Sequence, residues 1–81
     1  MTYALEPAIA TLIDELDAIS DPTHRFEATV IVEARLDAEL RKVRQRIAVE
    51  LYDGGIRTYR EVGSIMGGVT AQRAEQIAKG R

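Results

Sequence analysis

The sequence contains no cysteine, so neither a disulfide framework nor a thiolate metal site is open to it, and the absence suits a reducing cytoplasm. It has one histidine, His24, with Asp21 and Glu27 nearby. A single imidazole among scattered carboxylates lacks the convergence of a zinc site, so no metal and no cofactor are expected. The first twenty residues carry Glu6, Asp14, Glu15 and Asp17 but no Lys or Arg. A secretory leader starts basic and continues as an unbroken apolar run, so none is expected here. No apolar stretch approaches the roughly 20 residues that span a bilayer. There is also no G-x-S-x-G turn, phosphate-binding loop or cysteine nucleophile. The carboxylates Asp14, Glu15 and Asp17 fall on the polar side of a helix, a solvated face. Neither an enzyme nor a membrane protein is expected.

What is present is enough apolar material to fold. At 81 residues and 46% hydrophobic content, the chain is expected to form a single domain over 1–81 with a thin core. The net charge of −2 conceals a division. Residues 1–40 hold nine Asp or Glu against Arg25 and Arg35, a net −7; residues 41–81 hold nine Lys or Arg against Glu50, Asp53, Glu61 and Glu75, a net +5. One end of such a chain suits a polyanion and the other repels it.

No segment alternates with the period of a strand, and the pattern predicts an all-α protein. A first helix is expected from about Pro7 to Ile19, with an apolar seam at Leu5, Ile9, Leu12, Leu16 and Ile19. Asp21 before Pro22 is a start signal, a carboxylate cap with proline at the first helical position. A long helix is then expected from about Pro22 to Tyr52, stopped by Gly54 and Gly55. Its seam begins at Phe26 and Val30 and continues through Leu36, Leu40, Val43, Ile47 and Leu51, while "ATVIV" (28–32) is apolar nearly all round and predicts burial on more than one side. At about 1.5 Å per residue this helix exceeds roughly 40 Å, more than the first helix can cover as an antiparallel hairpin. Two arrangements satisfy the seam. Hairpins over 1–53 pair two chains in a homodimer, or the helix breaks near residue 38 and the chain folds into a compact four-helix unit. The homodimer is the expectation.

The last third differs in kind. Thr58 and Glu61 have the T-x-x-E spacing of a capping box ahead of Val62, Ile65 and Met66, which predicts a helix from about Tyr59 to Met66. Gly67, Gly68 and Val69 form a turn, and Thr70 caps a last helix from about Ala71 to Lys79 that ends at Gly80. Two short helices joined by a tight glycine turn make a helix-turn-helix over 56–81. Gly63 fits this, since a small residue lets the helices cross closely. With Ala74, Ile77 and Ala78 facing inward, Gln72, Gln76 and Lys79 fall on the opposite face, flanked by Arg73. Glutamine pairs bidentately with adenine and arginine with guanine, each worth roughly 1–3 kcal/mol of discrimination. Thr70, Lys79 and Arg60 suit phosphates. Glu75 repels phosphate unless it accepts from a cytosine amino group. In "RKVRQR" (41–46), Val43 points inward with Ile47, and Arg41, Lys42, Arg44 and Arg46 spread outward. They either lean on flanking phosphates or pair with Asp37, Glu39 and Glu50 at helical spacing.

The stretch "YDGGIRTYREVGSIMGGVTAQRAEQI" resembles the helix-turn-helix of sigma-factor carboxy-terminal domains and of small bacterial regulators related to them. Thr58, Tyr59, Arg60, Glu61 and Val62 match the family's Ser/Thr-capped first helix. Thr70, Gln72, Arg73, Gln76 and Ile77 match its capped recognition helix. The resemblance covers about the last thirty residues. Where the family usually has one glycine in the turn this chain has Gly67-Gly68, implying a turn one residue longer. Where it often has a polar or basic first residue in the recognition helix this chain has Ala71, whose methyl suits a thymine methyl. The resemblance implies a bacterial, cytoplasmic, nucleoid-associated protein that binds double-stranded DNA through Thr58, Arg60, Thr70, Ala71, Gln72, Arg73, Gln76 and Lys79. It implies a role in transcription regulation. The alternative from another class is an adaptor that binds RNA polymerase or another regulator and reads no DNA.

Overall fold

The computed structural model describes residues 4–81; the first three residues of the expected 1–53 segment lie outside them. The described residues are all-helical, with four α-helices: α1 (Glu6–Asp17), α2 (Pro22–Tyr52), α3 (Tyr59–Ile65) and α4 (Ala71–Ala78). A short 3-10 turn, Asp53–Gly55, separates α2 from α3. The long helix has the bounds its sequence predicts and is a single element, which removes the alternative of a break near residue 38. Among the described residues no helix is long and apolar enough to cross a membrane.

The chain divides into two compact units, Met1–Arg35 and Leu36–Arg81. The sequence places its divide between residues 53 and 56 instead. The difference arises at Ala48 of α2, which is fully buried with side chains of α3 and α4. The last part of α2 therefore belongs to the same unit as the two short helices.

In the first unit, α1 starts one residue before the expected Pro7 and stops two before Ile19. Its end is a tightened turn, with Ala18 N–H donating to Asp14 O at 3.0 Å and Ile19 N–H to Leu16 O at 3.1 Å. The carbonyls beyond it are taken by Arg25, whose Nε donates to Ile19 O at 2.9 Å and whose Nη2 donates to Ser20 O at 3.3 Å. A helix end leaves carbonyls without partners, and a guanidinium satisfies two at once. Asp21 caps α2 as expected, its Oδ1 accepting from Thr23 N–H at 2.9 Å. The expected seam is only partly sheltered. Leu12, Leu16 and Ile19 are half-buried, as are Arg25, Ala28 and Val32, while Leu5, Ile9, Phe26, Val30 and Ile31 are exposed. The all-round burial expected for residues 28–32 is not met within the chain, where only Ala28 and Val32 lose substantial exposure.

The second unit is built on three fully buried residues, Ala48, Val62 and Ala74, one from each of α2, α3 and α4. Small side chains there let the backbones approach. Leu51, Tyr52, Tyr59, Met66, Val69, Ile77 and Ala78 close over them. The rings of Tyr52 and Tyr59 stack with centroids 4.1 Å apart and planes 9° from parallel, joining the end of α2 to the start of α3. Between them Asp53, Gly54 and Gly55 all adopt positive φ, at 46°, 65° and 103°. That left-handed run stops α2 where the glycines predict. Arg57 secures the stop, its Nη1 donating to Leu51 O at 3.0 Å.

One expectation about α2 needs correction. Val43 and Ile47 do not point into the core; the face that does carries Ala48, Leu51 and Tyr52. Leu36, Leu40, Val43 and Ile47 form a second apolar face about a third of a turn away. Their exposures are 45%, 46%, 37% and 41%.

Candidate nucleic-acid interface

The segment from Thr58 to Gly80 is set by local chemistry at each joint. Thr58 Oγ1 accepts from Glu61 N–H at 3.2 Å, and Glu61 Oε1 accepts from Thr58 N–H at 3.0 Å. This is the reciprocal capping box its spacing predicts. The Thr58 hydroxyl also donates to Glu61 Oε1 at 3.2 Å. These bonds hold the Glu61 carboxyl below its ordinary value of 4.5, the backbone N–H of Thr58 being the main cause and its hydroxyl the next. The hydroxyl proton is thus committed, and Thr58 orients α3.

Helix α3 ends at Ile65, one residue short of expectation, because Met66 departs from helical geometry as its C-cap. Gly67 and Gly68 follow with φ of 91° and 84°. Both sit in the left-handed region that L side chains rarely adopt. The turn folds back so that Gly68 and Val69 each donate an N–H to Gly63 O at 3.0 Å. Gly63 is buried, and a Cβ there would lie 2.3 Å from Val69 O and 3.2 Å from Thr70 O. The close approach is between Gly63 and the backbone leading into α4, which refines the sequence argument for a small residue. Val69 anchors the turn in the core.

Thr70 caps α4, its Oγ1 accepting from Arg73 N–H at 3.1 Å. Its hydroxyl proton remains available to an outside acceptor. Helix α4 ends at Ala78, with Lys79 as C-cap. Gly80 N–H reaches Ile77 O and Arg81 N–H reaches Gln76 O, at 3.1 and 2.8 Å. Gly80, at φ 75°, makes this C-terminal closure possible. Ala74 is buried, Ile77 and Ala78 are half-buried, and Ala71, Gln72, Arg73 and Lys79 are exposed. Gln76 is half-buried, so the polar face is less open at its middle than the spacing predicts.

Three further placements matter. Lys79 Nζ contacts Glu75 Oε1, and this hydrogen bond is the main reason the Glu75 carboxyl lies below its ordinary value. The negative charge that would repel a phosphate is therefore countered within the helix, a pairing its i,i+4 spacing contained. Arg60 on α3 is exposed and has no side-chain partner among the described residues. In the basic run, Arg41 pairs with Asp37 at 3.1 Å and Lys42 with Glu39 at 3.5 Å. Arg44 and Arg46 are exposed and form no ion pair among the described residues.

His24 lies in the first turn of α2, exposed, 3.5 Å from Asp21, and Asp14, Glu15 and Asp17 are exposed on α1. Among the described residues no three potential metal ligands converge. No family model, curated protein or solved structure matches the chain.

Proposed function

We propose that the protein binds double-stranded DNA with sequence preference, as a homodimeric transcriptional regulator associated with the nucleoid, and is not an enzyme. In this reading α3, the Gly67–Gly68 turn and α4 are a helix-turn-helix like that of sigma-factor carboxy-terminal domains, and α4 enters the major groove. The observation that carries it is the packing of Gly63 against the Val69 carbonyl. That contact fixes α4 against α3 while leaving Ala71, Gln72 and Arg73 exposed at the start of α4. Gln72 and Gln76 are the base readers, and Ala71 meets a thymine methyl. Thr70, Arg60 and Lys79 take phosphates, with Thr70 still holding a hydroxyl proton to donate. The second unit, which holds this segment, carries nine Lys or Arg against six Asp or Glu, net +3.

The dimer reading rests on the face at Leu36, Leu40, Val43 and Ile47, whose 4, 3, 4 spacing is that of a helix pairing seam. Among the described residues that face is exposed. A second copy supplies the matching face. The first unit contributes an antiparallel helical hairpin, consistent with its half-buried positions at Leu12, Leu16 and Ile19 and at Ala28 and Val32.

The test is titration of a labelled duplex pool at low salt. Measurable binding that weakens as salt rises supports the reading. Absence of binding to any duplex, with a partner such as RNA polymerase captured instead, replaces it with the adaptor.

A further inference from the structure

Arg73 stands apart from Gln72 and Gln76 in one respect. It lines a cleft of about 590 Å³ together with Arg41, Lys42, Arg44 and Gln45 of α2, and Arg81 beyond α4. All of these lie within the second unit. The cleft exists because α4 closes against α2 at its end. A Cβ on Gly80 would lie 3.0 Å from Gln45 Nε2, which puts the end of the chain beside the Gln45 side chain of α2. On α2, Arg41 and Arg44 stand three residues apart on one side, and on α4 Arg73 and Ile77 stand four apart, with Gly80 just beyond the helix end, so each helix presents one edge.

Five cationic side chains meet there with one acidic lining residue, Asp37. Arg44, Arg73 and Arg81 make no side-chain hydrogen bond or ion pair among the described residues. Arg41 does pair with Asp37, but the two side chains are 77% and 56% exposed, and such solvated pairs hold weakly. A cleft so polar and so positive is unlike the largely apolar pockets that take small molecules. Its cations are spread along two helices, more widely than one small anion can satisfy.

We propose that this cleft holds the phosphodiester backbone of the DNA, on the side of the groove wall nearest α2. The proposal rests on the DNA reading above and deepens it. It moves Arg73 from base reading to the backbone, joins it to Arg44 and Arg81, and leaves Gln72 and Gln76 to carry sequence preference. The unpaired guanidiniums donate to phosphate oxygens in the bidentate geometry that suits them, with release of condensed counterions.

The experiment compares the full chain with R44Q, R73Q, the double variant and Q72A, measuring affinity for a random duplex pool and for a preferred duplex across a salt series. Circular dichroism confirms that each variant is folded. R44Q and R73Q are each expected to reduce the slope of log affinity against log salt by about 0.9, and the double variant by about 1.8. Both should weaken all sequences by the same factor and leave the ratio of preferred to random binding unchanged. R44K should restore the slope, and Q72A should lower the ratio with the slope intact. An unchanged slope in R44Q, or a changed base preference in R73Q, overturns the cleft assignment while the DNA reading stands. No duplex binding by the unaltered protein overturns both.

Discussion

Gly63→Ala is the substitution with the most defined consequence. A Cβ at this position would sit 2.3 Å from the Val69 carbonyl oxygen and 3.2 Å from that of Thr70. Carbon and oxygen in ordinary contact lie more than 3 Å apart, so α3 and the turn must separate by about 1 Å. The obstacle is backbone on both counts, so no rotamer change relieves it. Overpacking of this kind costs about 1–3 kcal/mol, and an immovable neighbour puts the cost near the upper end. Alanine recovers about 1 kcal/mol of helix propensity over glycine. The net loss is about 2 kcal/mol, which for a chain of this size lowers the melting midpoint by roughly 8–16 °C. Thermal unfolding followed by circular dichroism measures it. Protein concentration is held fixed so that any subunit association enters both midpoints alike. Gly67→Ala is the companion variant, since its Cβ meets nothing within 4 Å and only its φ of 91° resists, at a cost of about 1–2 kcal/mol. A Gly63→Ala protein melting at or above the unaltered chain would refute the packing on which the α3–α4 arrangement rests.

Other expectations follow from the same geometry. Thr70→Ala removes the α4 cap and should lower the urea-derived stability by about 1 kcal/mol. Glu61 titrates below its ordinary 4.5 in the folded protein, so its contribution is complete above about pH 4.5 and is lost as pH falls through the lower folded value. Unfolding midpoints measured from pH 6 to 2.5 should show that loss, and Thr58→Ala should reduce it. Leu40→Glu places a charge in the exposed α2 seam and should convert a dimer to a monomer in sedimentation equilibrium with its helicity largely retained; an unchanged mass would reject that seam as the pairing face. Gln72→Ala should lower discrimination between duplexes by roughly 1–3 kcal/mol for the base it reads, whereas Lys79→Ala should weaken all duplexes alike.

The parts of the fold legible in sequence were those encoded by neighbours. Asp21-Pro22 marked the start of α2, Gly54-Gly55 its end, and Thr58 with Glu61 the start of α3, because capping and glycine turns depend on residues a few positions apart. The choice between two apolar faces on α2 was less legible. Val43 and Ile47 look like core because they are large and regularly spaced, yet the face that packs inward is Ala48, Leu51 and Tyr52. Periodicity finds a stripe and cannot say which partner covers it. In the same way Arg25, which takes the carbonyls of Ile19 and Ser20, gave no pattern in advance. The polar residues of α4 were identified by spacing alone. The meeting of Arg73 with Arg44 depended on where α4 closes against α2, a distance of 29 positions in the chain.

The most direct test of the central claim is selection of the purified protein against a random duplex library at moderate salt, with sequencing of the retained DNA. An enriched inverted repeat is expected, with half-sites about one helical turn apart or a multiple of it, since two copies of α4 related by a twofold must reach successive major grooves. A single unrepeated motif would contradict the symmetric dimer, and no enrichment at all would contradict sequence-specific DNA binding.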